Sequence, residues 1–162
     1  MIEAIKQLRS ARPDVQAVVV VAPSRSIKEI QEITSTNIKL VEQQTREALA
    51  ASDAAAVASG TATLEAALLE TPIVVVYKES PINWHTLGRL ITVEHYGLVN
   101  LVAGREIAKE LMQDELTGEN LANELLSLRN RDTTVKHGLS GKIKQLRERV
   151  EVALNHGQQL EI

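Results

Sequence analysis

Aromatic residues are nearly absent from this chain, whose 162 residues include two Tyr, one Trp and no Phe. Hydrophobic residues nevertheless make up 44% of the sequence, so the core must be aliphatic, built from Ala, Val, Leu and Ile. Cysteine is missing as well, which excludes a disulfide framework and a thiolate metal site. A chain of this length suits one domain with one core.

Clusters of positive charge and long apolar runs are also missing. The net charge of −3 gives no sign of a nucleic-acid surface, which normally carries clustered Lys and Arg. No apolar run reaches the roughly 18 residues that a membrane-spanning helix needs. The first residues lack the basic-then-apolar pattern of a signal peptide. We therefore expect a cytoplasmic protein.

The chain does contain β-branched runs that alternate with amphipathic segments. Val18–Val21 is a continuous valine run typical of a strand buried on both faces. Ser26, with Glu29 three residues later, predicts a helix that starts with a capping box. The alternation predicts an α/β fold with a mostly parallel sheet flanked by helices. The predicted strands are residues 15–22, 38–41, 54–58, 73–77 and 98–102; the predicted helices are residues 2–10, 27–33, 45–51, 66–70, 81–91, 117–128 and 136–154.

A turn of small polar residues lies between one predicted strand and the next helix. Gly60 lets the chain turn sharply and lets a ligand approach the backbone. The N–H groups at a helix start can hold a phosphate, and the hydroxyls of Ser59, Thr61 and Thr63 add donors. Glu65, one turn further, can accept hydrogen bonds from hydroxyls such as those of a ribose. A plain helix start, capped by Ser59 or Thr61, would give the same pattern.

A second polar segment runs from Asn100 to Gln113. Glu106, Glu110 and Gln113 are spaced i, i+4 and i+7, which places them on one face of a predicted helix. This face either points into a cleft, where it offers acceptors to sugar hydroxyls, or is simply solvated. Ligands of a parallel sheet bind beyond the carboxyl ends of its strands, where the loops at residues 59–65, 77–81 and 100–113 begin.

Together these segments resemble the C-terminal half of lipid-A-disaccharide synthase. The resemblance runs through nearly the whole chain and rests on four segments, Ala51–Asp53, Ser59–Glu65, Pro72–Lys78 and Asn100–Gln113. The Gly-Thr-x-x-x-Glu element is shared with other glycosyltransferases of the GT-B architecture, whereas the Asn-Leu-x-x-Gly-Arg-Glu run is more specific. The resemblance implies a Rossmann-like UDP-binding domain at residues 1–128 and a C-terminal helical extension at residues 129–162.

The resemblance also implies an activity and a set of contacts. The family transfers a diacylglucosaminyl unit from UDP to diacylglucosamine 1-phosphate, giving a lipid A disaccharide phosphate and UDP; no metal or cofactor is implied. Four residues would lie by the pyrophosphate: Ser59, Gly60, Thr61 and Thr63. Five would lie by the ribose, uracil or sugar: Glu65, Asn100, Glu106, Glu110 and Gln113.

The sequence departs from the family pattern in two ways. Val99 and Lys109 stand where the family commonly has Pro, and neither change removes a polar group. The family's acceptor domain, where the general base is expected, and the first strand of its C-terminal domain are absent from this chain. We therefore expect strands 15–22 and 54–58 either to pair directly or to leave an open slot. With the slot open, the isolated chain should have no transferase activity and at best weak UDP affinity.

The family's lipid substrates imply contact with the inner membrane surface through the missing half. The lone Trp84 is better explained as a packing residue than as a lipid anchor. Two other functions stay open: a non-catalytic UDP-sugar binding module, and a GT-B domain for another UDP-sugar. The sequence does not determine the oligomeric state, and a homodimer is among the arrangements open to it.

Overall fold

The structure, a computed structural model, describes residues 1–34, 38–78 and 95–129. Its helices are α1 (Ile2–Ala11), α2 (Ile27–Ile33), α3 (Thr45–Ala50), α4 (Ala62–Leu68), α5 (Leu98–Ala103) and α6 (residues 118–129), and Gln113–Glu115 form a short 3-10 turn. Its strands are β1 (Val18–Val21), β2 (Lys39–Glu42), β3 (Ala55–Ala58), β4 (Ile73–Tyr77) and β5 (Lys109–Met112). The predicted helices 81–91 and 136–154 and Trp84 lie outside the described residues, and the domain boundary at residue 128 stays a prediction.

All described strand pairs are parallel, which confirms the predicted α/β class. β1 pairs with β2, with Val18 opposite Lys39. A second sheet has the order β3-β4-β5, with Ala55 opposite Ile73 and Val74 opposite Lys109. Among the described residues β1 and β3 do not pair, so direct pairing, one of the two expected arrangements, does not occur.

Helices cover both faces of the three-stranded sheet. Side chains alternate between these faces along β4, so its residues contribute to two separate cores. Val75 belongs to a core formed with α3, α4 and α5, and Val74 belongs to a core formed with α1 and α6. Both valines are completely buried. The first core includes Leu49, Val57, Ala66, Ala67, Ile73 and Val99; the second includes Ala4, Leu8, Val76, Leu111, Leu121 and Ala122. The aliphatic core predicted from the composition is therefore confirmed.

The sheet of β1 and β2 is buried less completely. Val21 is buried, but Val18 is 44% exposed, and no residue of α2 is buried. The prediction that the valine strand is buried on both faces is therefore wrong. Two features account for this: β1 is paired with a described strand on one side only, and α2, which follows it in the chain, has no buried residue.

A local sequence signal fixes the start of α2. The Ser26 hydroxyl accepts a hydrogen bond from the Glu29 N–H (3.3 Å), and the Glu29 carboxylate accepts one from the Ser26 N–H (3.2 Å). This confirms the predicted capping box at the start of α2.

No helix in the described part of the chain combines the length and the hydropathy that crossing a membrane requires.

Residues 98–102 form a helix and not the predicted strand. α5 starts after Gly97 and ends at Gly104, which adopts a φ of +66°. One side of α5 buries Val99 and Asn100, whereas Leu101 is 53% exposed. Two apolar pairs in six residues suit either element, and the burial of one helical face against α4 decides for the helix.

The predicted helical face of Glu106, Glu110 and Gln113 is also wrong. Glu106 lies in the loop after α5, Glu110 lies in β5, and Gln113 follows β5 directly. The physical reason is tertiary: Leu111 enters the core beside Val76, and β5 completes the ladder of β4. Sheet pairing overrides the helical spacing of these side chains.

Arg129, in α6, connects the amino ends of the two sheets. Its guanidinium lies 3.4 Å from the Asp14 carboxylate, before β1, and 3.8 Å from the Asp53 carboxylate, before β3. Arg12 also bonds Asp14 at 3.3 Å. These ion pairs lie at the opposite edge of the sheets from the polar loops.

Candidate functional site

The turn between β3 and α4 lies at the carboxyl edge of the three-stranded sheet. Ala58 pairs with Val76, and the Ser59 N–H extends the ladder by donating to the Val76 carbonyl (3.1 Å). Gly60 then turns the chain with a φ of +149°, which L side chains rarely adopt. An added Cβ would meet nothing within 4 Å, so the requirement for glycine here is conformational.

Three consecutive backbone N–H groups follow this turn at the start of α4. The N–H groups of Gly60, Thr61 and Ala62 find no acceptor within the described ranges. Thr61 occupies the N-cap position, yet its side chain makes no capping hydrogen bond. Of the two expected caps, Thr61 is therefore the N-cap by position, but its hydroxyl does not bond an N–H group of α4. The start of α4 keeps donors that an anion can use.

The hydroxyls of Ser59 and Thr63 are already used within the protein. The Ser59 Oγ donates to the Tyr96 carbonyl at 2.6 Å. The buried Thr63 Oγ1 donates to the Gly60 carbonyl at 2.7 Å and accepts from the Val99 N–H at 3.3 Å. These bonds connect the start of α4 to the start of α5.

Asn100 is completely buried in α5, and its side-chain amide is fully hydrogen-bonded. The Oδ1 accepts from the N–H groups of Ile107 (2.8 Å) and Ala108 (2.9 Å). The Nδ2 donates to the Ala108 carbonyl and to the Glu110 carboxylate, both at 2.7 Å. Two donors and two acceptors are all that an amide side chain offers, so the structure leaves none for a ligand.

Glu110 is half-buried, and its carboxylate lies at the start of α5. One oxygen accepts from the Gly97 N–H (3.0 Å) and from Asn100, and the other accepts from the Tyr96 N–H (2.9 Å). A negative charge at a helix N-terminus is stabilised by the unpaired N–H groups and the helix dipole. Glu110 therefore serves as a cap that reaches α5 from a neighbouring strand.

The remaining predicted contacts are spread around the same edge. Glu65, in the first turn of α4, accepts a hydrogen bond from Arg46 at 3.2 Å. Glu106 is exposed and lies 4.0 Å from Lys109. Gln113 follows β5 with a φ of +46°, an uncommon conformation for a residue other than glycine. Ser59, Thr63, Asn100 and Glu110 are thus linked through hydrogen bonds to residues 96–100, whereas the carboxylates of Glu65 and Glu106 pair with Arg46 and Lys109.

Sequence reasoning missed two aromatic residues at this edge. Tyr77, at the end of β4, stacks on Tyr96, with ring centroids 6.3 Å apart and planes at 20°. Lys78 follows Tyr77 and is exposed. Two of the three aromatic residues in the chain therefore meet beside the Gly60 turn. Their scarcity, and their positions at a strand end and before a glycine, were the available signal.

The carboxyl edge thus combines free helix N–H groups, carboxylates and a cation. Within the described ranges no cluster of His, Asp or Glu side chains has the arrangement of a metal site. The donors suit an anion such as a phosphate, and the exposed acceptors suit hydroxyl groups.

A comparison with known protein families decides the relationship. Residues 1–161 match the family described as lipid-A-disaccharide synthetase. The chain belongs to this family. The match covers the Gly60 turn, both tyrosines and β5, so the lipid-A-disaccharide synthetase resemblance found in the sequence is confirmed.

Individual relatives support the same assignment. The chain is 44% identical over 128 residues to the lipid-A-disaccharide synthase of Myxococcus xanthus, covering 77% of this chain and 33% of the relative. It is 42% identical over 129 residues to that of Anaeromyxobacter dehalogenans, covering 77% and 34% respectively. It is 36% identical over 148 residues to that of an Enterobacter species, covering 88% and 38%. The chain spans about a third of the length of the curated relatives it matches.

Proposed function

We propose that this chain forms the donor-nucleotide half of an enzyme that joins two acylated glucosamine units. The donor is a UDP-diacylglucosamine, the acceptor is a diacylglucosamine 1-phosphate, and the products are a lipid A disaccharide phosphate and UDP. Membership of the family over residues 1–161 is the observation that carries the proposal. The lipid substrates place the enzyme at the inner membrane surface, to which it binds peripherally.

In this proposal the UDP diphosphate lies against the turn at Gly60. The N–H groups of Gly60, Thr61 and Ala62 donate to its oxygens, and the Thr61 hydroxyl adds a fourth donor. Lys78, exposed at the end of β4, supplies a positive charge at the same edge. As the bond to the sugar breaks, negative charge develops on the UDP leaving group, and fixed donors of this kind stabilise it.

The acceptors at the same edge are proposed to bind the ribose, uracil or sugar. Glu65 and Glu106 are predicted contacts whose carboxylates pair with Arg46 and Lys109 at the surface, and Gln113 is the third predicted contact at this edge. Glu65 shares its carboxylate with the exposed Arg46, so a ribose hydroxyl competes there with a solvent-exposed ion pair, which is a weak competitor. The general base is proposed to come from the part of the enzyme that corresponds to the rest of the relatives' length.

The reaction itself is tested with the complete gene product. Incubation with UDP-diacylglucosamine and diacylglucosamine 1-phosphate should release UDP and form the disaccharide, both detectable by mass spectrometry. Turnover of a different UDP-sugar without disaccharide formation would contradict the substrate assignment. UDP binding without turnover of any sugar donor would favour a non-catalytic binding module instead.

The diphosphate contact is tested by replacing Thr61 with Ala. Because the Thr61 side chain makes no capping bond, the substitution should leave the free energy of unfolding within about 0.5 kcal/mol of the wild type. It removes a donor to a charged phosphate, which is worth roughly 1.5 kcal/mol or more. UDP affinity, measured by calorimetry on the complete gene product, should therefore fall about tenfold.

A matched control is the cap of α2, far along the chain from this turn. Ser26→Ala removes a capping hydroxyl and should lower the unfolding free energy by about 0.5–2 kcal/mol without changing UDP affinity. If Thr61→Ala lowers stability and leaves UDP affinity unchanged, Thr61 is a helix-start residue and the diphosphate lies elsewhere.

A further inference from the structure

Four of the nine residues predicted to bind the nucleotide sugar are joined in one hydrogen-bond network inside the protein. Asn100 bonds Glu110 at 2.7 Å, and Glu110 accepts from the Tyr96 N–H at 2.9 Å. The Tyr96 carbonyl accepts from Ser59, and Thr63 accepts from the Val99 N–H. The network therefore runs from β5 through the start of α5 to the turn at Gly60.

The ends of this network differ in what they leave free. Asn100, at one end, has all four of its amide hydrogen-bonding positions filled. Glu110 accepts three hydrogen bonds, two on one oxygen and one on the other. At the other end, the N–H groups of Gly60 and Thr61 have no acceptor within the described ranges. The polar groups of the network thus bond one another, and the network ends at donors that have no acceptor among the described residues.

The charge of Glu110 also distinguishes the two helix starts at this edge. Its carboxylate occupies the N–H groups before α5, so a second anion there would be repelled. The start of α4 carries no such carboxylate cap, because Glu65 bonds Arg46. A diphosphate therefore finds donors on the α4 side only.

We propose that Asn100 and Glu110 are positioning residues for nucleotide binding and do not contact the substrate. They hold residues 96–100 in place, and those residues in turn hold the Gly60 turn through Ser59 and Thr63. The donors that receive the diphosphate are thereby fixed before it arrives, which removes the cost of ordering them. This inference rests on the proposed function, since it assigns the roles of residues within that same site.

Glu110→Gln separates positioning from direct contact, because the two roles need different groups. A residue that only accepts a hydroxyl hydrogen bond works as an amide, since Gln keeps a carbonyl oxygen. In the network, the amide NH₂ would instead face a backbone N–H, either that of Tyr96 or that of Gly97. Positioning therefore fails in Glu110→Gln, whereas a contact to a sugar hydroxyl survives.

The experiment compares wild type and Glu110→Gln in the complete gene product at a temperature where circular dichroism shows both to be folded. UDP affinity by calorimetry and kcat/KM for the donor should fall by about 10- to 100-fold, the range that misplaced site groups produce. Glu119→Gln is the matched control: it makes the same change of charge on the exposed surface of α6 and should leave both values unchanged. Wild-type affinity and kcat/KM in Glu110→Gln would overturn the inference.

Asn100→Asp provides a reciprocal test of the pair. Alone, it places a carboxylate oxygen 2.7 Å from the Glu110 carboxylate and should weaken UDP binding further than Glu110→Gln does. Combined with Glu110→Gln, the new carboxylate accepts a hydrogen bond from the new amide. The fold-loss of UDP affinity in the double variant should therefore be smaller than the product of the fold-losses in the two single variants. Strictly multiplicative losses would mean that the two side chains act separately, which contradicts the proposed pair.

Misfolding of Glu110→Gln, or transfer of a different sugar by the wild type, would still leave the inference testable. If Glu110→Gln does not fold, Gly97→Ala is the second variant, because an added Cβ would lie 3.0 Å from Val75 and 3.2 Å from the Glu110 carboxylate, and so presses on that carboxylate without changing its charge. Unchanged UDP affinity in Gly97→Ala would then overturn the inference. If the wild type binds UDP but transfers a different sugar, the proposed substrate fails, and the UDP affinities still decide the role of the pair.

Discussion

Asn100 illustrates how a single buried amide connects a helix, the loop that follows it and the next strand. Its side chain joins α5 to the turn before β5 and to the carboxylate of Glu110. The spacing of Asn100 and Glu110 marked them as polar residues of one segment, and that much could be predicted from the sequence. Whether a polar side chain faces a ligand or its own backbone depends on the path of residues 104–108, which no local pattern specifies.

Asp14 is a second residue whose role depends on distant partners. Hydrogen bonds from Arg12, and then from Arg129, lower the pKa of the Asp14 carboxyl below its usual 3.8. The Asp14 side chain is exposed, so solvent and salt weaken the effect. Because the pKa is lower in the folded state, the ionised form contributes stability above pH 3.8, and this contribution is lost as the pH falls below that value.

Asp14→Asn should therefore lower the melting temperature at pH 7 and have little effect at pH 3. The reason is that Asn lacks the charge that pairs with Arg12 and Arg129, and the stability contributed by this charge is lost as the pH falls below 3.8. Thermal unfolding followed by circular dichroism at both pH values measures the difference, and about 1 M salt should shrink it. Asp114→Asn removes an exposed carboxylate that forms no ion pair within the described ranges and serves as the control. An equal loss at both pH values would exclude the electrostatic explanation.

At the scale of single elements, α5 is bounded by two glycines that act for different reasons. Gly104 ends the helix with a φ of +66°, and an added Cβ would meet nothing within 4 Å. Gly97 has an ordinary φ of −77°, but an added Cβ would lie 3.0 Å from Val75. One position is thus limited by backbone conformation and the other by space.

Asn substitutions should separate these two reasons. At Gly104, Ala should cost roughly 1–2 kcal/mol of unfolding free energy, and Asn should recover most of it because Asn tolerates the left-handed conformation. At Gly97, Ala should cost about 1–3 kcal/mol through overpacking, and the larger Asn should cost more. Urea unfolding of the four variants measures the order. The same order at both positions would show that a single cause governs them.

Element predictions succeeded where the sequence carries a strong local signal. The run Ile73–Tyr77 matches β4 residue for residue, since four of its five side chains are buried and most are β-branched. The Ser26 cap is likewise local. The predictions for residues 98–112 failed because the spacing of their apolar residues suits both a helix and a strand. Which element forms depends on the edge of β4 that remains to be paired, and β5 pairs with it.

At the scale of the whole molecule, the two sheets are separate. In a doubly wound sheet the order of the strands reverses at one point while all strands stay parallel, and here β1 and β3 belong to separate sheets and do not pair within the described residues. Each therefore keeps one row of backbone groups unpaired within the described ranges. The family resemblance led to this expectation, whereas local patterns only predicted that both strands would be interior strands of one sheet.

The open arrangement should limit what the 162-residue chain does by itself. We expect it to transfer no sugar and to unfold over a broad temperature range, because unpaired interior edges reduce cooperativity and favour association between chains. UDP should raise its melting temperature by less than a few degrees. Calorimetric scans of the purified chain with and without UDP provide the test, with the complete gene product as the control. A sharp transition raised several degrees by UDP would show that the nucleotide site is complete without a further strand.

The parallel pairing of every described strand has a consequence for synthesis on the ribosome. A parallel partner is always made after an intervening crossover, so β1 can pair once Lys39–Glu42 has emerged, but β5 ends 70 residues beyond Glu42. At about 5–20 residues per second, several seconds pass between the synthesis of β2 and the completion of the three-stranded sheet. Throughout that interval the valines of β1 stand at an open edge. Among the described strands, this edge is the first that a chaperone or another nascent chain can meet.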